Sequence, residues 1–193
     1  PYLMNKRSFL LIALLITITL SCKDDDDPTI VSENPLNSYL LVAGFSEVEN
    51  FIDDGFFEFG IKFTPKVNGQ INSIVVKLPD DQTDLRITIW DGVSKTVLQT
   101  ITIPMVKANT ELTHAITPFN VTKNDAYMIT LNSDDYYYRA RPDESDVSYP
   151  ITIGNLEING YGYSEGSAQT YPYSFHSYYY AGDLSFVFTP TVQ

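Results

Sequence analysis

From Phe56 onward, apolar side chains return at every second residue rather than every third or fourth. Phe57, Phe59, Ile61 and Phe63 alternate with Glu58, Gly60 and Lys62, which places four large apolar groups on one face of an extended chain. Leu85, Ile87 and Ile89 alternate with Arg86, Thr88 and Trp90, and Ile101 and Ile103 flank Thr102. Tyr127, Ile129 and Leu131 alternate with Met128 and Thr130, and Leu184, Phe186 and Phe188 repeat the period. Turn dipeptides separate these runs: Asn68-Gly69, Pro79-Asp80, Asp91-Gly92, Asn124-Asp125 and Asn159-Gly160. Asn-Gly and Asp-Gly tolerate the positive φ that tight hairpins demand. No sustained helical stripe is visible beyond residue 21. Short alternating strands with polar turns predict an all-β fold, an antiparallel, jelly-roll-like β-sandwich forming a single domain over residues 51–193. One face of each strand is expected to be buried and the other wet.

Before that domain the pattern differs. Lys6 and Arg7 precede an apolar run from Phe9 to Leu20, broken only by Thr17 and Thr19. The run is short for a bilayer span, which needs about 20 apolar residues, and suits a signal-peptide core. Pro1 to Leu3 precede Met4, the expected translational start. Leu20, Ser21 and Cys22 follow, with a small residue directly before the cysteine. This junction resembles the lipobox of bacterial lipoproteins. The resemblance implies a signal peptide over residues 1–21 and acylation of Cys22, so that the partner is a membrane reached through a lipid anchor. Leu20 at −2 and Thr19 at −3 depart from the usual lipobox order. Lys23 and the run Asp24 to Asp27 come next. Such a run repels itself into a solvated tether, and residues 22–50, with Pro28, Pro35 and the apolar stretch Tyr39–Val42, read as tether and linker leading into a first strand. A lysine with an acidic cluster after the lipidated cysteine also resembles the surface-export signal of Bacteroidota-type lipoproteins. It implies an outer-membrane location facing the cell exterior.

A second resemblance lies in the domain. Gly60-Ile61-Lys62-Phe63-Thr64-Pro65, Gly69-Gln70-Ile71, Ile87-Thr88-Ile89-Trp90-Asp91 and Leu98-Gln99-Thr100 form an ordered series, continued by Pro118-Phe119-Asn120-Val121 and Tyr127-Met128-Ile129. The series is similar to a family of β-sandwich modules of unknown function in bacterial secreted and surface proteins. It covers roughly residues 56–138 and implies a jelly-roll-like sandwich without carrying catalytic residues across. The Tyr-rich stretch beyond Tyr138 departs from that pattern.

Charge narrows the partners. The chain has a formal charge of −12, and losing Lys6 and Arg7 with the signal peptide would leave −14. Such a surface repels phosphate backbones, whose binding depends on Lys and Arg, so nucleic acid is excluded as an expected partner. Direct adsorption to anionic lipid is disfavoured for the same reason; acyl chains would supply the attachment. With its only cysteine in the anchor, the domain has no disulfide, thiol nucleophile or cysteine metal site.

Tyrosine is the most informative residue. Twelve of the fourteen fall between Tyr127 and Tyr180, in clusters at Tyr136-Tyr137-Tyr138, Tyr161 and Tyr163, Tyr171 and Tyr173, and Tyr178-Tyr179-Tyr180. Adjacent strand residues point to opposite faces, so a triplet cannot be wholly core. An uncovered tyrosine offers a rigid flat face with a polar tip, suited to stacking on sugar rings or to protein contact. Tyr136, Tyr137, Tyr138 and Arg139, supported by Tyr161, Tyr163, Tyr178 and Tyr180, are the candidate ligand-binding residues, expected to form an exposed platform. Tyrosine is also a good strand former whose hydroxyl reaches water at a sheet edge, and that reading carries equal weight.

Other chemistry finds less footing. Asp53-Asp54, Asp80-Asp81-Asp84 and Asp143-Glu144-Asp146 could offer oxygen ligands to calcium, but none has EF-hand spacing, and solvated loop acids explain them; no cofactor is expected. Glu144-Ser145-Asp146 approaches a sandwich-type glucanase pattern, but Tyr149 stands where a third carboxylate would be needed. His114 and His176 suggest no triad, and His114 reads as an exposed strand residue. Gly160-Tyr161-Gly162 lacks the following helix of a phosphate loop. The sequence therefore points to a non-enzymatic, surface-anchored lipoprotein that binds a glycan. The alternative is a structural or adhesive lipoprotein contacting an outer-membrane or extracellular protein.

Overall fold

The computed structural model describes residues 30–191, so the signal peptide, Cys22 and the acidic run lie outside the described residues. Helix α1 (Leu36–Ala43) leads into strands β1 (Glu47–Phe51), β2 (Phe57–Pro65), β3 (Gly69–Lys77), β4 (Gln82–Asp91), β5 (Val97–Val106) and β6 (Leu112–Val121). Then follow β7 (Tyr127–Ser133), β8 (Tyr136–Ala140), β9 (Ile151–Ile153), β10 (Leu156–Glu165), β11 (Ser174–His176), β12 (Tyr179–Ala181) and β13 (Asp183–Pro190). The fold is the antiparallel, sandwich-like all-β domain that the alternation predicts.

A seven-stranded sheet, ordered β11-β10-β2-β7-β4-β5 with β9 also on β10, forms one layer. Facing it are two three-stranded sheets, β13-β3-β6 and β1-β8-β12. Gly182, with φ 77°, is the single residue between β12 and β13 and passes the chain from one of these sheets to the other. The alternating residues meet between the layers. Phe63 of β2 packs on Phe186 of β13 with ring centroids 4.7 Å apart, and Phe59 packs edge-on against Tyr136 of β8 at 5.2 Å. Ile61, Ile87, Ile89, Ile129 and Leu131 are buried beside them. Each such side chain contributes about 1.5–3 kcal/mol through removal from water.

Four features depart from the sequence-based picture. First, the segment read as linker contains α1, whose Leu36, Tyr39 and Ala43 sit on one face and are buried. Gly44, in the left-handed region at φ 75°, ends the helix, and the Phe45 N–H donates to Leu40 O. Second, Asn159-Gly160 is not a turn but a bulge inside β10, where pairing shifts between Ile158 and Gly160. There Asn159 Oδ1 accepts a hydrogen bond from the Thr64 hydroxyl. The hairpin turn is at Gly154-Asn155, where Gly154 has φ 54°. Third, the outer face of the large sheet is not wet at its centre. Residues 166–172 fold back over it as a strap, with Arg86 donating to Ser167 O and Gln169 donating to the hydroxyls of Thr88 and Thr100. Glu58, Thr88, Trp90, Met128 and Thr130 are buried beneath. Fourth, His114 lies in β6 opposite Ile74 and is half-buried rather than exposed.

Candidate functional site: an aromatic cleft between two sheets

Register decides which tyrosines meet. In the β1-β8-β12 sheet, Glu47, Glu49 and Phe51 oppose Ala140, Tyr138 and Tyr136, while Tyr179 and Ala181 oppose Ala140 and Tyr138. These residues share one face, because side chains two apart on a strand point the same way. That face looks toward the inner face of β2 and β10, where Phe57 and Phe59 pair with Glu165 and Tyr163. Between the two lies a cavity of about 220 Å³. Its buried lining is Phe59, Tyr136, Tyr161 and Ala181; the half-buried rings of Phe51, Phe57, Tyr138, Tyr163 and Tyr179 stand around it.

The rings brace one another. Phe51 stacks on Tyr136 at 5.1 Å and Tyr138 stacks on Tyr179 at 5.0 Å. Tyr163 stacks on His176 at 5.5 Å, and Tyr178, 39% exposed, meets Tyr179 edge-on at 4.9 Å. The Tyr136 hydroxyl donates to Asp54 Oδ2 at 2.7 Å, which fixes that ring. Burial pushes the phenols of Tyr136, Tyr161 and Tyr179 well above their ordinary range, so all three stay neutral donors at physiological pH. Tyr138 is also raised, by burial first and then by coupling to the neighbouring Tyr178 phenol and to the carboxylates of Glu144 and Glu49.

The remaining candidate residues sit elsewhere. Tyr137, Arg139 and Tyr180 occupy the opposite face of β8 and β12. Arg139 is held by Asp183 through two parallel hydrogen bonds of 2.6 Å and lies over the Tyr137 ring. The Tyr137 hydroxyl donates to Asn109 Oδ1, and the Tyr180 hydroxyl donates to Leu184 O. These three groups spend their polar atoms on the fold. The expected exposed platform is therefore replaced by a cleft. Tyr136, Tyr138, Tyr161 and Tyr163 line it, Tyr178 stands at its edge, and Phe51, Phe57, Phe59, Tyr179 and Ala181 join them.

Phe57 and Phe59 were visible only as strand core. That their face also walls a cavity depends on β8 and β12 lying opposite, which alternation does not encode.

The cleft opens beside a groove of about 630 Å³ that shares Phe51 and Tyr138 with it. Glu47, Glu49 and Glu144 bring carboxylates to this groove, and Tyr178 reaches its other side. Arg141 is present too, but its guanidinium donates to Ala43 O, Ser145 Oγ and Asp146 O. The acidic loops considered for calcium serve local bonds: Asp81 accepts from Lys107 and the Ala108 N–H, and Asp143 from Ser145. Among the described residues, no three His, Cys, Asp or Glu side chains gather as a metal-holding group. Nor is any described helix long and apolar enough to cross a membrane. Compared with known proteins, the chain matches no family model and no curated protein.

Proposed function

We propose that this chain is a surface-anchored, non-catalytic binding lipoprotein and that its ligand is a glycan seated by one sugar ring in the aromatic cleft. The observation that carries the reading is the 220 Å³ cavity walled by partly uncovered Phe and Tyr rings. Pockets for drug-sized ligands run to about 300–1,000 Å³, so this one suits a single ring at the end or side of a longer molecule. Stacking on rigid aromatics costs little side-chain entropy, and the phenolic hydroxyls offer hydrogen bonds at the rim. Lipid anchoring at Cys22 would array many weak sites on one membrane and raise avidity.

The test is retardation of the full chain, solubilised in non-ionic detergent, in gels containing a panel of polysaccharides. At least one polysaccharide should retard it, and Tyr163→Ala and Tyr138→Ala should each weaken binding by about 0.5–1.5 kcal/mol, the worth of one aromatic contact. Equal retardation of both variants and the parent contradicts the reading. The second reading, a protein partner, draws on exposed Val93, Val97, Leu98 and Met105 along or beside the edge strand β5. It is favoured if no polysaccharide acts and a stable partner is cross-linked in sugar-free medium.

A further inference from the structure

The groove beside the cleft carries a sign that the cleft alone does not. Glu47, Glu49 and Phe51 follow one another on the same face of β1, so two carboxylates continue the line that begins with an aromatic wall. Glu144, on the loop after β8, lines the same groove. All three glutamates are exposed, and among the described residues none of their carboxylates takes part in an ion pair or accepts a hydrogen bond. The only guanidinium in the groove is committed to two carbonyls and a hydroxyl. A ligand ring entering between Tyr138 and Tyr163 would therefore extend its substituents toward unpaired negative charge. Aromatic faces also attract a cation, by about 0.5–1 kcal/mol at exposed sites and more where water is excluded. Apolar ring recognition and cation recognition thus converge on neighbouring surfaces that share Phe51 and Tyr138.

We propose that the cleft selects a glycan built from amino sugars with free, protonated amino groups, the sugar ring lying among the aromatic rings and its ammonium group facing Glu49 and Glu144. This rests on the glycan reading above and narrows it to one ligand class. An N-acetylated sugar keeps the ring but loses the charge. A neutral glucan lacks both amine and amide.

These differences define the test. The full chain in non-ionic detergent is titrated calorimetrically with hexamers of β-1,4-linked glucosamine, N-acetylglucosamine and glucose. All titrations are run at one mildly acidic pH of about 6, which favours the protonated form of the sugar amine. The glucosamine hexamer should bind tightest. The double variant Glu49→Gln, Glu144→Gln should weaken it about threefold to tenfold, as for two rim ion pairs, and added salt should weaken the parent likewise. Both glutamates are exposed, so the variants should keep the parent's melting temperature. Tyr163→Ala should also lose affinity; undiminished binding there would mean diffuse attraction to an acidic surface and overturn the proposal. Equal binding of the acetylated or neutral hexamer, or undiminished binding by the Gln variant, overturns the charge assignment and leaves the glycan reading standing. Binding of none of the three overturns this inference, and the polysaccharide panel then judges the broader reading separately.

Discussion

Glu58 carries its carboxylate on the outer face of β2, fully buried beneath the strap, where Arg86 Nη2 donates to Oε2 at 2.7 Å and the Thr130 hydroxyl donates to Oε1. Trp90 Nε1 in turn donates to Thr130 Oγ1 at 2.8 Å, so the indole, the hydroxyl and the carboxylate form one chain across three strands. Two influences oppose each other. Desolvation favours the neutral acid, while Thr130 and Arg86 favour the anion; desolvation prevails and the Glu58 pKa is raised. The folded protein therefore holds a proton that the unfolded chain releases at its ordinary, lower pKa. Stability from this site is present below the unfolded value and is lost as pH rises through the folded one. Glu58→Gln, which stays neutral, should lack that loss. Melting temperatures measured from about pH 4 upward should show the parent falling relative to Glu58→Gln as pH rises. A parent that gains on the variant over the same range would mean that Arg86 outweighs desolvation.

At the level of elements, Gly182 decides whether β12 and β13 can belong to different sheets. Its φ of 77° lies in the left-handed region, and a Cβ there would stand 2.3 Å from Phe59 Cε2, in the wall of the cleft. Gly182→Ala should cost about 1–3 kcal/mol of backbone strain before any displacement of Phe59 is added, read as a lowered urea midpoint. An unchanged midpoint would show that the turn can relax. The strands themselves were largely legible: Phe57 to Phe63, Leu85 to Ile89 and Tyr127 to Leu131 alternate because their inner faces meet a core. Helix α1 was not, because its buried face is only Leu36, Tyr39 and Ala43 in two turns that also expose Leu41 and Val42. What holds it is tertiary: Tyr39 packs edge-on against Tyr180 at 5.6 Å and shares a 2.6 Å hydrogen bond with the Tyr149 hydroxyl. The strap is illegible in the sequence for a related reason. Residues 166–172 are polar and loop-like in sequence, and their covering role comes from carbonyls and a glutamine amide that meet partners from distant strands.

Across the whole molecule, the clustering of tyrosines in the sequence suggests an exposed platform, whereas the structure divides those rings between a cleft and the opposite face of β8 and β12. A triplet on β8 must split between faces, and it does: Tyr136 and Tyr138 turn to the cleft, Tyr137 turns away. Which face meets another sheet, and whether a gap remains between them, depends on β1, β8 and β12 lying against β2 and β10, as in the packing of Phe59 on Tyr136, 77 residues further along the chain. The central claim, that this gap is where a ligand sits, can be tested without removing a single ring. Ala181 lines the cavity with its small side chain, and Ala181→Leu would occupy that space while every aromatic stays. Calorimetry with the polysaccharide that retards the parent most is the direct measurement, paired with a melting curve. Loss of binding with an unchanged or raised melting temperature is the predicted result. Full affinity in a folded Ala181→Leu protein would place the ligand elsewhere and contradict the assignment.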